Sequence, residues 1–433
     1  MALDYVRTLR RFNRNARLVF LSAALTWFST FGIYSVLFNL YVLRLHYGPQ
    51  FVGIVNASGL LSGAVFSLSA GELGRRLGSR RAMIIGLAMA TLGYGLVPAA
   101  QLLPSGTRAI WLAAAYFCAC LGTWAVYIVN VSPFLVSVTG AEERSHAFSV
   151  LMALSTAAAF VGALVGGMLP TAFAAITATP LTQPTSYGLS LLCAALLLIP
   201  ATLAIASTCE PAGEERAGSM ERAGDDRRPL GLMAMVAAVL FIRAAGQGSA
   251  RVFVNVYMDA GLHMPTALIG TLAALGQLIA VPGALATPIL ATRWGNPRTY
   301  VIAVFGASLS LLLLALVPRW EAAALGSIGV TAMFAIASPA LTTFEQSLVS
   351  QQWRPAMEGT VMMSVNLGRA AMAACGGYII GYGGYGTLFA VGSALMAAGA
   401  LAFWSYFRRP RGELAAQVDT TGPRLSLSST RKS

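Results

Sequence analysis

Three arginines lie inside long apolar runs, where a charge needs a reason to be. Arg243 and Arg369 fall near the middles of the seventh and eleventh runs. Arg251 stands about 12 Å further along the seventh, at a rise of ~1.5 Å per residue. If these runs cross a bilayer, each charge costs ~2.5–3.5 kcal/mol on insertion scales, so such residues are functional candidates by default. Arg243, Gln247, Arg251 and Asn255 recur every four residues and make one polar stripe on an otherwise apolar helix. A stripe of that kind faces protein or a water-filled cavity, not lipid. Guanidinium forks bind carboxylate or phosphate bidentately, which points to an anionic ligand. A second reading of the same residues has them hydrogen-bonding backbone carbonyls or bracing neighbouring helices.

The acids are as informative. No Asp, Glu or His lies in the central part of any run; Glu345 sits near the end of the tenth, and Asp259, His46 and His263 sit at run ends. A proton-coupled carrier usually titrates an intramembrane carboxylate or histidine, so the pattern favours exchange or facilitated diffusion. Glu345 is the one candidate proton carrier, with a structural role beside Arg293 or Arg298 as its alternative. There is no Walker loop, no dinucleotide fingerprint and no metal-ligand cluster, so neither an enzyme nor a cofactor or metal is expected. The five cysteines (118, 120, 193, 209 and 375) lack metal spacing and read as small packing residues.

The elements that must position these groups follow from composition. The 433 residues are 57% hydrophobic and 10% charged, where a soluble chain carries about a quarter charged. Apolar runs near 18–42, 50–72, 82–103, 109–137, 147–172, 187–207, 230–258, 266–291, 299–317, 322–348, 358–382 and 384–407 are each long enough to span a membrane. The expected organisation is a basic N-terminus (1–17), a six-helix bundle (18–207), a polar linker (208–229), a second bundle (230–407) and a disordered tail (408–433). With the N-terminus in the cytoplasm, all 29 Lys and Arg but six fall in cytoplasmic segments; the exceptions are Arg44, Arg108 and Arg319 outside and the three intramembrane arginines. That asymmetry places both ends in the cytoplasm. It also accounts for the basic balance without nucleic acid, leaving lipid and a small-molecule substrate as the expected partners of a functional monomer.

The halves repeat. Phe38-Asn39-Leu40-Tyr41-Val42 matches Val254-Asn255-Val256-Tyr257-Met258, Gly78 matches Gly295, and Ser132-Pro133 matches Ser338-Pro339. Parallel six-span repeats build two bundles that rock about a midplane site. The repeat sets Trp27, Phe31, Ser35 and Asn39 of span one against the stripe of span seven, and Trp124, Tyr127 and Asn130 of span four could join them. The expected site is thus an aromatic wall facing a cationic wall, suited to an organic anion with an apolar part; core packing is the alternative for the aromatics.

The loop Gly71-Glu72-Leu73-Gly74-Arg75-Arg76-Leu77-Gly78-Ser79-Arg80-Arg81, echoed at Arg293-Trp294-Gly295, resembles the Gly-x-x-x-Asp-Arg-x-Gly-x-Arg-Arg motif of major facilitator superfamily permeases. The resemblance covers essentially the whole chain. It implies twelve transmembrane helices in two pseudo-symmetric six-helix bundles, with spans one, four, seven and ten lining a central cavity. It also implies that Gly71, Arg76, Gly78, Arg80 and Arg81 control switching between outward- and inward-facing states. Arg75 replaces the family's Asp. We expect it to pair with Glu358, and Arg293 with Glu142 or Glu143. The glycines Gly162, Gly166 and Gly167 of span five resemble an exporter pattern that lacks its usual proline. A bacterial inner membrane is the expected location and alternating-access transport the expected function. The alternatives are proton-coupled efflux of amphipathic drugs through Glu345 and a permease-like sensor.

Overall fold

The computed structural model describes residues 12–140, 143–209 and 229–408. Most of the expected basic N-terminus, linker and tail, together with Glu142, lies outside the described residues. Within them the chain is helical throughout, because backbone polar groups in a membrane have only each other to bond.

The passes are α1 (Arg14–Arg44), α2 (Pro49–Leu77), α3 (Ser79–Leu96), α4 (Ser105–Val138), α5 (Arg144–Thr177), α6 (Pro184–Ala206), α7 (Leu230–Gly261), α8 (Thr266–Trp294), α9 (Asn296–Leu316) and α10 (Trp320–Ser347). The last helical stretch, Arg354–Phe407, breaks at Gly384 (φ 75°, ψ 177°) into α11 (354–383) and α12 (385–407). The turn signal Tyr382-Gly-Gly-Tyr-Gly is therefore the break, and twelve passes result. Proline opens α2 and α6 at their first turn, where its missing N–H costs nothing.

The passes form two six-helix bundles, α1–α6 and α7–α12, which meet along α2 against α11 and α5 against α8. Glycine lets the second contact close: a Cβ on Gly270 would stand 2.5 Å from the Cα of Gly167. Of the span-five glycines, Gly162 instead meets α1, packing on the Phe28 carbonyl and Gly32.

The repeat is visible in the backbone. The α2–α3 turn holds Gly78 at φ 90°, ψ 143° and the α8–α9 turn holds Gly295 at φ 78°, ψ 154°. Both lie where a side chain is strained, which is why glycine stands at both. Pro133 and Pro339 lie inside α4 and α10 at matching depth in the repeat.

Candidate functional site

A cavity of about 390 Å³ lies between the bundles, lined by residues of α1, α2, α3, α4, α7, α8, α10 and α11. Its charged lining residues are Arg251 and Arg369, and no Asp or Glu is among the residues that line it. The first-bundle side is aromatic. Phe31 stands edge-on to Trp124 at 4.8 Å, and Phe38 stacks on Tyr116 at 4.0 Å. Arg251 crosses to that side, its guanidinium 5.5 Å above the Trp124 ring, an attractive geometry for a cation.

Arg369 is held from its own bundle. Its Nε and Nη2 donate to Gln247 Oε1 at 3.2 and 2.9 Å, and Arg243 Nη1 donates to the same oxygen at 3.1 Å. Arg243 itself is 5% exposed and is absent from the cavity lining; it lies 5.4 Å over the Phe334 ring and against Gly399 of α12. Helical drift explains this. Four residues advance about 40° beyond one turn at 3.6 residues per turn, so a stripe of three such steps spirals around α7. Gln247, Arg251 and Asn255 line the cavity, and Arg243 has turned behind it. Arg243, expected at the ligand, is thus placed behind the cavity lining and not on it.

Three passes carry π-helical turns where they meet the cavity: Trp27–Tyr34 in α1, Leu121–Tyr127 in α4 and Tyr257–Gly261 in α7. Such widened turns are frequent at functional sites. Trp27 stacks on Phe31 at 4.1 Å from outside the lining, and Tyr127 is 1% exposed, its hydroxyl 3.2 Å from Ser22. Trp27 therefore backs the aromatic wall and Tyr127 is core. Asn130 is also buried, pressed against Gly74 of α2.

The end of the cavity farther from the termini is sealed. Asn39 Nδ2 donates to the Val252 carbonyl at 2.8 Å, and Asn255 Nδ2 donates to the Ser35 carbonyl at 3.0 Å. These repeat-related asparagines make reciprocal bonds across the bundles, and Asn56 Nδ2 supports Asn39 Oδ1 at 2.7 Å. Beyond them Arg44 makes a bidentate pair with Asp259 at 2.6 and 2.8 Å, and the Tyr187 and Thr266 hydroxyls lie 2.7 Å apart.

The family model described as Major Facilitator Superfamily matches residues 19–362 and 236–433. The chain belongs to that superfamily. Among solved structures of the same fold is an aspartate-to-alanine mutant of the nucleoside transporter NupG, 15% identical with TM-score 0.74, covering 91% of this chain and all of that one. The inward-open xylose transporter XylE from E. coli is 11% identical with TM-score 0.71, covering 94% and 98%. A bacterial homologue of the human lysosomal transporter Spinster, inward-facing and unoccupied, is 14% identical with TM-score 0.70, covering 90% and 94%. At these identities the likeness is one of fold. No curated protein matches the sequence significantly.

The superfamily's motif loop is placed as follows. Arg75 and Arg76 both bond Glu72, at 2.7 and 2.6 Å. Arg80 donates to the Ala206 carbonyl at the end of α6 at 2.6 Å. Gly71 faces Val129 with room to spare, whereas a Cβ on Gly74 would overlap Asn130. The expected Arg75–Glu358 pair is therefore not formed here: Glu72, one turn away on the same helix, satisfies Arg75 without help from the other bundle. Glu358 lies instead against Glu345, and Arg298 stacks over Trp404 at 5.9 Å.

Sequence reasoning missed Asn56, Tyr34, Tyr116, Gln277 and Asn366, all on the cavity wall. Only Asn366 carried a signal, three residues before Arg369 and so on the same face of α11.

Proposed function

We propose that this superfamily member carries a small organic anion across the membrane by alternating access. The observation that supports this best is a cavity between the bundles with two arginines, no carboxylate and an aromatic opposite wall. The anionic group sits between Arg251 and Arg369, and its apolar part lies on Phe31 and Trp124. Desolvated guanidinium forks favour carboxylate or phosphate there. The contacts Asn39–Val252, Asn255–Ser35 and Arg44–Asp259 define a state closed on one side; transport requires a second state in which they part. Gly71, Arg75, Arg76, Gly78, Arg80, Arg81 and Arg293 belong to the turns at the opposite end, where that exchange is controlled. Lys and Arg concentrated at the terminal end support a cytoplasmic location for both termini, in a bacterial cell membrane, and a monomer contains the whole site.

The test is ligand-induced thermal stabilisation of the purified protein, screened against organic anions, organic cations and neutral sugars. Binding to the folded state raises apparent stability by mass action. Stabilisation by carboxylates or phosphates that disappears in both Arg251→Ala and Arg369→Ala is expected. Stabilisation by lipophilic cations that survives both substitutions would refute the reading.

A further inference from the structure

Behind the cavity, within the second bundle, is a second cluster of polar groups that anion binding does not use. Glu345 is 2% exposed near the end of α10, and its carboxyl lies within hydrogen-bonding reach of that of Glu358 on α11. The Oε2 atoms of both are buried without a hydrogen-bond partner. Arg243 enters the cluster from α7 with its Nε buried and unpartnered, and Tyr300 enters from α9 with its hydroxyl in the same condition. Tyr300 stands beside both Arg243 and Glu345. Among the described residues, Glu358 and Arg243 are the charged groups that act on Glu345. From α12 the residues packed here are Phe403, on the Tyr300 ring, and Gly399, on Arg243.

The charge count decides what this cluster holds. One arginine and two ionised carboxylates leave a net negative charge in a buried site, with two like charges in contact. Neither is tolerated without strong compensation. One arginine, one carboxylate and one carboxylic acid are neutral, and the acid supplies the donor that the facing oxygen lacks.

We propose that Glu345 and Glu358 share a single proton and form a proton-binding site of this transporter, separate from the cargo cavity. Uptake turns one carboxylate of the pair into a carboxylic acid that donates to the other; release returns the proton to water in a state of the transporter that hydrates the pair, where two carboxylates are tolerated. The inference does not require the cargo to be an anion, so it can fail or stand independently of the cavity reading.

The experiment is infrared spectroscopy of the purified full-length protein, following the carbonyl stretch of protonated carboxylic acid as pH is raised through neutrality. Wild type should show a buried acid band, shifted in heavy water, that disappears on alkalinisation. Glu345→Gln and Glu358→Gln each copy the shape of the protonated acid, so both should fold, and each should lack the band at neutral pH because the remaining carboxylate pairs with Arg243. A band retained in either variant, or absent from wild type at neutral pH, overturns the shared proton.

Discussion

The two bundles have one skeleton and opposite chemistry. Gly78 and Gly295 hold the same backbone conformation, and Asn39 and Asn255 make the same bond to each other's bundle. Along the same helical face, however, Trp27, Phe31 and Ser35 of α1 correspond to Arg243, Gln247 and Arg251 of α7. Even the helices differ: α1 widens into a π-helical stretch over Trp27–Tyr34, whereas α7 stays α-helical at the corresponding level and widens only further on, at Tyr257–Gly261. Positions fixed by backbone geometry or by contact between the bundles are repeated. Positions along this stripe, on or just behind the cavity wall, have diverged, so that one half presents aromatic rings and the other arginines.

The sharpest way to break this contrast is to remove the charge. Arg369→Ala or Arg251→Ala should weaken anion binding on the order of 100-fold, as truncation of a desolvated charge pair costs ~2–5 kcal/mol; a calorimetric titration with whichever anion the thermal screen identifies measures it. The shared skeleton comes next. Gly78→Ala and Gly295→Ala should each destabilise by about 1–3 kcal/mol through the strained backbone, with melting temperatures falling by similar amounts; unequal losses would mean that the two turns are not equivalent. On the aromatic side, Phe31→Ala and Trp124→Ala should reduce affinity roughly tenfold, about 1.4 kcal/mol of stacking and cation–π contact, and selectively for cargo with an apolar part. The smallest effect belongs to the seal. Asn39→Ala and Asn255→Ala each remove one cross-bundle hydrogen bond worth about 1 kcal/mol, and should raise labelling of a cysteine placed at the sealed end about fivefold, to the same extent in either bundle.

Much of this was legible in the chain. Long apolar runs, arginines at their ends and paired motifs such as Asn39 and Asn255 identify the passes and the repeat, because membrane insertion imposes those features on composition. The side of α7 that Arg243 occupies was not legible, since a four-residue spacing is only nearly the helical period. Partner choice was not legible either. Arg44 finds Asp259 across 215 positions, and Arg75 finds Glu72 three positions away rather than Glu358. Sequence records which charges exist, while tertiary distance decides which of them meet. The π-helical turns of α1 and α4 left no mark in residue pattern at all.

One amide oxygen connects the two sides of α7. Gln247 Oε1 accepts from Arg243 and from Arg369 together, and a carbonyl oxygen has two lone pairs to give. If cargo binds at Arg369 as proposed and draws it away, that acceptor is left to Arg243 alone, and a single glutamine would then link the cavity to the buried interior of the second bundle. Replacement of Gln247 by leucine would leave both arginines in place with nothing to compete for.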